Sequence, residues 1–210
     1  IDEIYICHYT KLTDRKVILE DKIKELGLSV KWVELHDKED LDMNKVLLNH
    51  PNYNSRLRIQ GHQNRFLRQS EISLIFKHNY IWEQMVENDI ENVLVLEDDV
   101  VFADDFIEKF NEYITELPTD YDLLWVGTCC GIHATVTSES HIYEGSGSRC
   151  THAYMINKKC ATKMLEHHKI NNSPTDFMFN EAIRKYGLRN YWLEPSLIDQ
   201  NEIFNSSVQN

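Results

Sequence analysis

Three consecutive carboxylates, Glu97-Asp98-Asp99, follow the apolar run Val93-Leu94-Val95-Leu96. Four uninterrupted β-formers, bounded by Asn92 and by acids, read as a strand covered on both faces. In an open α/β sheet, ligands gather at the carboxyl ends of the strands, where this strand delivers its acids. Adjacent like charges repel unless a cation or hydrogen bonds compensate them. Hard oxygen donors suit Mg²⁺ or Mn²⁺, and such ions commonly share their coordination with phosphates. The triplet therefore predicts a cation-bound diphosphate. The competing reading is a solvated acidic turn, which Asp104-Asp105 resembles.

The elements that must hold these acids can be read from periodicity. Ile4-Tyr5-Ile6-Cys7 is a short strand, residues 14–26 space Val17, Ile18, Ile23 and Leu26 as a helix closed by Gly27, and Val30–Leu35 alternates as a strand. Strand, helix and strand in sequence predict a βαβ unit. Residues 37–69 form a long polar excursion with a short helix at 41–49, and residues 70–88 return to helical spacing through Ile72, Ile75, Phe76, Ile81 and Met85. Beyond the triplet the pattern predicts a helix at 104–116 ended by Pro118 and a strand at 121–126 stopped by Gly127. Residues 128–148 read as loops with a short hairpin. A strand at 152–156, helices at 158–168 and 175–186, a strand at 190–194 and a polar tail at 199–210 complete the chain. The expected architecture is one α/β domain over residues 1–210, with a Rossmann-type, mainly parallel sheet flanked by helices.

Composition narrows the function classes. The 210 residues are 42% hydrophobic and 27% charged, an ordinary globular profile long enough to bury a core. A net charge of −12 opposes bulk adhesion to nucleic acid or anionic lipid, so neither is an expected partner. No apolar stretch approaches the roughly 20 residues that span a bilayer, and the N-terminus lacks the shape of a signal peptide. Five cysteines without a C-x-x-C pair argue against a zinc knuckle and favour a reducing compartment, with one or two bridges still compatible. Abundant Ile, Asn, Lys and Asp suggest an AT-rich bacterial or viral genome and a cytoplasmic location. A chain that opens on Ile1 is expected to be cut from a longer protein.

An ordered series of blocks resembles glycosyltransferase family 25, the lipooligosaccharide and procollagen galactosyltransferase group. Ile4 to Arg15 is similar to the family's opening strand and Arg-containing turn. Ser70-Glu71-Ile72 through His78 and Trp82 resembles its Gly-Glu-x-Gly-Cys-x-x-Ser-His-x-x-x-Trp helix. Val93 to Phe102 resembles its acidic motif, and Tyr121 to Gly127 the strand that follows. Thr151-His152-Ala153-Tyr154, with the helix from Lys158 to Leu165, resembles its Gly-Thr-x-Ala-Tyr block; Asp176 and the region from Pro195 to Ser207 follow in order. Ser70, Ser73, Leu74 and Lys77 replace the usual Gly, Gly, Cys and Ser, and Cys150 stands near an expected Gly, which marks a divergent member.

The resemblance implies a GT-A fold and transfer of a hexose, galactose first and glucose next, from a UDP-sugar with inversion. It implies Mn²⁺ or Mg²⁺ as cofactor, and a glycan or a hydroxylysine of a collagen-like chain as acceptor. A procollagen-type homologue would work in the ER lumen. Asp99 is then the expected direct metal ligand, Glu97 a second, and Asp98 a contact to the nucleotide ribose or an acid bonded to backbone. Asp176 is the expected base, or a first-turn acid favoured by the helix dipole; a helix start is expected to hold it ionised. Arg15 reads as a diphosphate or base contact, or as a helix-surface arginine. Arg56, Arg58, Arg65 and Arg68 put four of the eight arginines in the polar excursion, where Arg65 and Arg68 could guide phosphates or an acidic acceptor. Glu71 could reach donor or acceptor, and His152 could line the sugar pocket or be a core histidine. Gln200 and Ser206 could close over the nucleotide. His78 and Trp82, at i, i+4 spacing, read as a packed pair. Two other classes compete: a sugar- or protein-binding module that has lost turnover, and a metal-dependent phosphohydrolase.

Overall fold

The computed structural model describes residues 1–57, 65–127, 129 and 140–200. The βαβ unit forms as expected from β1 (Glu3–Cys7), α1 (Thr13–Glu25) and β2 (Lys31–Val33), with β1 and β2 parallel. Gly27 ends the helix region at φ 66°, a left-handed conformation open to glycine without steric cost. Within the polar excursion, α2 (Met43–Asn49) is capped by Asp42, whose side chain accepts from the Asn44 and Lys45 amides. The long helix α3 (Gln69–Glu87) begins where Glu71 turns back to accept from the Arg68 amide.

The acidic strand is β3 (Asn92–Glu97), followed by β4 (Val100–Phe102), α4 (Phe106–Tyr113), β5 (Leu123–Trp125) and β6 (Ile142–Glu144). The chain continues through β7 (Ala153–Asn157), α5 (Lys158–His168), α6 (Thr175–Tyr186), β8 (Asn190–Leu193) and β9 (Ile198–Gln200). Seven strands form one sheet in the order β2-β1-β3-β7-β5-β8-β6. Five run in one direction; β7, inserted between β3 and β5, and β6 on the edge run against them.

Period-two alternation divides the core between the two faces. Val93 and Val95 of β3 pack with residues of α2, α3, α5 and α6 on one side, around Trp82, Trp125 and Phe179. Leu94 and Leu96 join α1 and α4 on the other, with Phe102, Phe106 and Phe110. A strand buried on both faces needs an unbroken apolar run, which is what precedes the triplet.

Several expectations need correction. Residues 199–200 are not tail: with Ile198 they form β9, which pairs antiparallel with β4 and satisfies backbone groups just past the triplet. The predicted helix 104–116 is shorter, because its last residues tighten into a 3₁₀ turn at Ile114–Glu116. Among the described residues of 128–148, β6 pairs antiparallel with β8; residues 128 and 130–139, on which the expected hairpin also falls, lie outside the described residues. Cys129 and Cys150 are joined by a disulfide with a Cα–Cα distance of 5.9 Å, while Cys7 and Cys160 are buried free thiols. Among the described residues, no helix is long and apolar enough to cross a membrane.

Candidate active site

The parallel register of β1 and β3 sets Cys7 opposite Glu97, so the turn after β1 meets the turn after β3. Asp98 is thereby tied down. Its Oδ2 accepts from His8 Nδ1 at 2.8 Å and the Tyr9 amide at 3.1 Å, and its Oδ1 accepts from Arg15 Nη1 at 2.9 Å. Burial pushes this carboxyl upward, but the bonds from His8, Tyr9 and Arg15 outweigh burial and hold it below the usual range. Arg15 is itself buried, not a surface arginine, and its position is set by this acid.

Asp99 has the opposite environment. Its Oδ1 is buried with no hydrogen-bond partner among the described residues, and Arg15 Nη1 stands 3.6 Å from Oδ2. Burial and the neighbouring Glu97 and Asp98 charges push it up to about 7, opposed by Arg15 and a hydrogen bond from Gln200. Glu97 accepts from Thr151 Oγ1 at 2.6 Å on Oε1, and His78 Nε2 lies 3.8 Å from the same oxygen. Burial raises Glu97, yet His78, Thr151 and His152 prevail and keep it below its ordinary value. Glu97 Oε2 has no hydrogen-bond partner among the described residues.

Two cavities meet at these acids. The smaller, about 80 Å³, is lined by His8, Tyr9, Arg15, Lys38, Lys77 and the whole triplet. The larger, about 510 Å³, is lined by Arg65, Arg68, Glu71, Arg149, Thr151 and Asp176. Glu97, Leu74 and Gln200 belong to both walls. A volume of that order lies within the range of small-molecule sites.

Asp176 sits in the first turn of α6 and accepts from the Phe177 amide at 2.9 Å. The helix start does not dominate its ionisation, against expectation. Burial pushes it up to about 6, aided by Glu97 and opposed by the Phe177 amide and Arg149. Arg149 lies over the Phe177 ring, 5.3 Å from its centroid.

Glu71 is a structural acid at the cavity wall. It forms a two-pronged pair with Arg65, at 2.7 and 2.6 Å, in addition to the Arg68 amide. Arg65 is thus matched by Glu71, whereas Arg68 lines the cavity through its side of the α3 start. His152 is fully buried and lines neither cavity: its Nε2 donates to Ile198 O at 3.2 Å, and burial holds it below its usual value as a neutral ring. It braces β9 against β5, and a Cβ on Gly127 would meet Ile198 O at 2.1 Å and His152 Nε2 at 2.3 Å. Gln200 reaches Asp99 from β9. Arg58 and Ser206 lie outside the described residues.

Sequence reasoning gave no site role to His8, Lys77, Arg149 or Thr151. Lys77, which departs from the family pattern, forms a buried pair with Asp37 at 2.7 Å and donates to Leu35 O at 2.6 Å. His8, directly after β1, could have been found by its place at a strand's carboxyl end; Lys77 and Thr151 lie in family-like blocks that do not reveal their partners, and Arg149 has no local signal.

The donor set suits a hard divalent ion. Among the described residues Asp99 Oδ1 is a buried acceptor without a donor, and Glu97 accepts only on Oε1. Among the described residues no group of three or more His, Cys, Asp or Glu is placed to hold a metal ion.

Comparison with known proteins agrees with this frame. A crystal structure of a glycosyltransferase involved in the glycosylation of the major capsid of PBCV-1 matches with a TM-score of 0.50 at 14% identity, over 99% of this chain and 94% of that one. The shared fold is GT-A-like. The chain is 26% identical over 190 residues to a procollagen lysyl hydroxylase and glycosyltransferase of Acanthamoeba polyphaga mimivirus, covering 82% of this chain and 20% of that protein. It is 25% identical over 175 residues to procollagen galactosyltransferase 2 of Homo sapiens, covering 78% and 27%. A probable inactive glycosyltransferase 25 family member 3 of Rattus norvegicus matches at 26% over 133 residues, covering 60% and 22%. The chain thus spans about a fifth to a quarter of these relatives' lengths. The model of glycosyltransferase family 25 (LPS biosynthesis protein) matches residues 1–179, and the chain belongs to that family.

Proposed function

We propose that this chain transfers a hexose, galactose first and glucose next, from a UDP-sugar to a hydroxyl of a glycan or of a collagen-like chain, with inversion. The observation that carries the reading is the wall shared by the two cavities: Glu97 borders both, with Asp99 on one side and Asp176 on the other. Glu97 and Asp99 would hold Mn²⁺ or Mg²⁺ against the donor diphosphate. When bound, the ion supplies charge neutralisation for the departing diphosphate. Arg15 orders the acidic turn through Asp98, and Asp176 accepts the proton of the attacking hydroxyl. The new bond joins acceptor oxygen to the anomeric carbon as the bond to the diphosphate breaks; its electron pair leaves with UDP, and no covalent enzyme intermediate is needed. A carboxylate near 6 is ionised at neutral pH and basic enough for this task.

The test follows UDP release from UDP-galactose, UDP-glucose and their N-acetyl forms, with Mn²⁺ and with EDTA, in wild type and Asp99→Ala. Metal-dependent turnover of one donor, lost in Asp99→Ala, is expected. Relatives named as inactive favour a second reading, a binding module without turnover. UDP binding without turnover across a panel of glycan and hydroxylysine acceptors would support it. UDP release unaffected by EDTA would overturn the metal-dependent mechanism, and acceptor-independent release of free sugar would favour a hydrolase.

A further inference from the structure

Beneath Glu97 lies a chain of buried polar groups. Trp82, Tyr154 and His78 are each fully buried. Trp82 Nε1 donates to the Tyr154 hydroxyl oxygen at 3.3 Å, and His78 Nδ1 lies 2.8 Å from the same oxygen. His78 Nε2 faces Glu97 Oε1 at 3.8 Å and has no hydrogen-bond partner among the described residues.

The hydrogen count decides the direction of this chain. Trp82 can only donate, so the Tyr154 oxygen is already an acceptor. Among the described residues the Tyr154 hydroxyl hydrogen has one acceptor, His78 Nδ1. Were Nδ1 protonated, it would point a second donor at Tyr154 and leave that hydroxyl hydrogen buried without a partner, a costly arrangement. His78 is therefore the tautomer with its hydrogen on Nε2, on the side of Glu97. Thr151 addresses the same oxygen of Glu97, at 2.6 Å. Thr151 is hydrogen-bonded to Oε1 and the His78 Nε2 hydrogen faces the same oxygen from 3.8 Å, a charge–dipole contact longer than a hydrogen bond, so Oε2 is the oxygen without a donor among the described residues.

We infer that Trp82, Tyr154 and His78 form a positioning relay that orients Glu97, so that its Oε2 faces the cleft for cation binding. None of the three touches substrate; they act through Glu97. The inference rests on the metal reading proposed above only in its final link, because the tautomer exists in the metal-free protein. Hydrogen-bonded partners of a ligating carboxylate typically change metal affinity by about 10–100-fold when removed.

The experiment has two arms. In metal-free protein labelled with ¹⁵N-histidine, long-range ¹H–¹⁵N correlation reads the His78 ring, assigned by the signal missing in His78→Gln. A hydrogen on Nε2 in wild type is expected, and Tyr154→Phe should release the ring to the other tautomer. A hydrogen on Nδ1 in wild type overturns the relay, whatever the cleft binds. In the second arm, Mn²⁺ affinity is measured by electron paramagnetic resonance in the presence of UDP. His78→Met should weaken it about 10–100-fold. His78→Gln, whose amide can donate toward Glu97, should restore most of that affinity, which loss of packing alone would not predict. Unchanged affinity in folded His78→Met overturns the positioning role. Should His78→Met fail to fold, Tyr154→Phe replaces it with the same direction of effect. Failure of wild type itself to take up Mn²⁺ overturns the cation link and the metal reading together, while the tautomer is judged by the first arm.

Discussion

Asp98 and Asp99 are consecutive residues with opposite electrostatics: Asp98 accepts three hydrogen bonds, from His8, Tyr9 and Arg15, whereas Asp99 Oδ1 accepts none among the described residues. The turn between β3 and β4 directs one carboxylate into the loop after β1 and leaves the other at the cavity wall. Asp98 is held below the usual range, and Asp99 is pushed up to about 7. One acid thus builds the turn and the other is kept available to a ligand.

Asp99 should destabilise the metal-free protein at alkaline pH. Its folded value is above its unfolded value of 3.8, so the folded state binds the extra proton between about 4 and 7. Stability from this group falls as pH rises through that window, and the cost is complete above 7. Asp99→Asn is expected to raise stability at pH 8 by on the order of 1–3 kcal/mol and to change it little below pH 4. Urea melts of both proteins in EDTA at the two pH values check this; an Asn variant less stable at pH 8 contradicts it.

Removing Asp98 should do the reverse. Asp98→Ala strands His8 and Arg15 in a buried site, and truncating one member of such a network costs about 3–5 kcal/mol. The urea midpoint should drop accordingly, with Asp98→Asn intermediate. A midpoint within error of wild type for Asp98→Ala would show that the three bonds are not formed in solution.

For Asp176 the prediction is kinetic. As the proposed base, its replacement in Asp176→Asn should lower kcat about 10²–10⁴-fold while leaving UDP binding near wild type. The wild-type rate should fall as pH drops below about 6, because protonation removes the base. An Asn variant with wild-type kcat excludes the role, and so does a pH profile flat from 5 to 8.

The disulfide should be a stabilising tether. Cys129 and Cys150 are 21 residues apart, and closing a loop of that size contributes about 3 kcal/mol in the chain-entropy view. Wild type in dithiothreitol and Cys129→Ser without it should melt alike, both below oxidised wild type. Equal melting of oxidised and reduced wild type would contradict the bridge.

The βαβ opening, the doubly buried β3, the acids at its carboxyl end and the order of the main elements other than β4 and β9 were legible from residue order. Hydrophobic period and strand-end chemistry are local properties, and Val93–Leu96 or the spacing of Ile72, Ile75 and Ile81 carries them without a partner. Glu97, Asp98, Asp99 and Asp176 were recognisable as acids worth watching for the same reason.

Their division of labour was not. Whether Asp98 faces His8 and Arg15 depends on the parallel register that sets Cys7 beside Glu97 across ninety residues of chain. Asp176 remains ionised at neutral pH, but burial and the Glu97 charge raise it to about 6, against the helix-start effect, and burial is a property of the packed molecule. His152 could be read as a pocket or a core residue, and it is the core one, bonded to Ile198 of β9, a strand hidden in an apparently polar tail. His78 and Trp82 announced a packed pair through their i, i+4 spacing; only the arrival of Tyr154 from β7 and Glu97 from β3 gives the pair a direction. Periodicity places side chains on a face, but hydrogen-bond partners and desolvation come from elements far apart in sequence, so ionisation and orientation are decided by the tertiary structure.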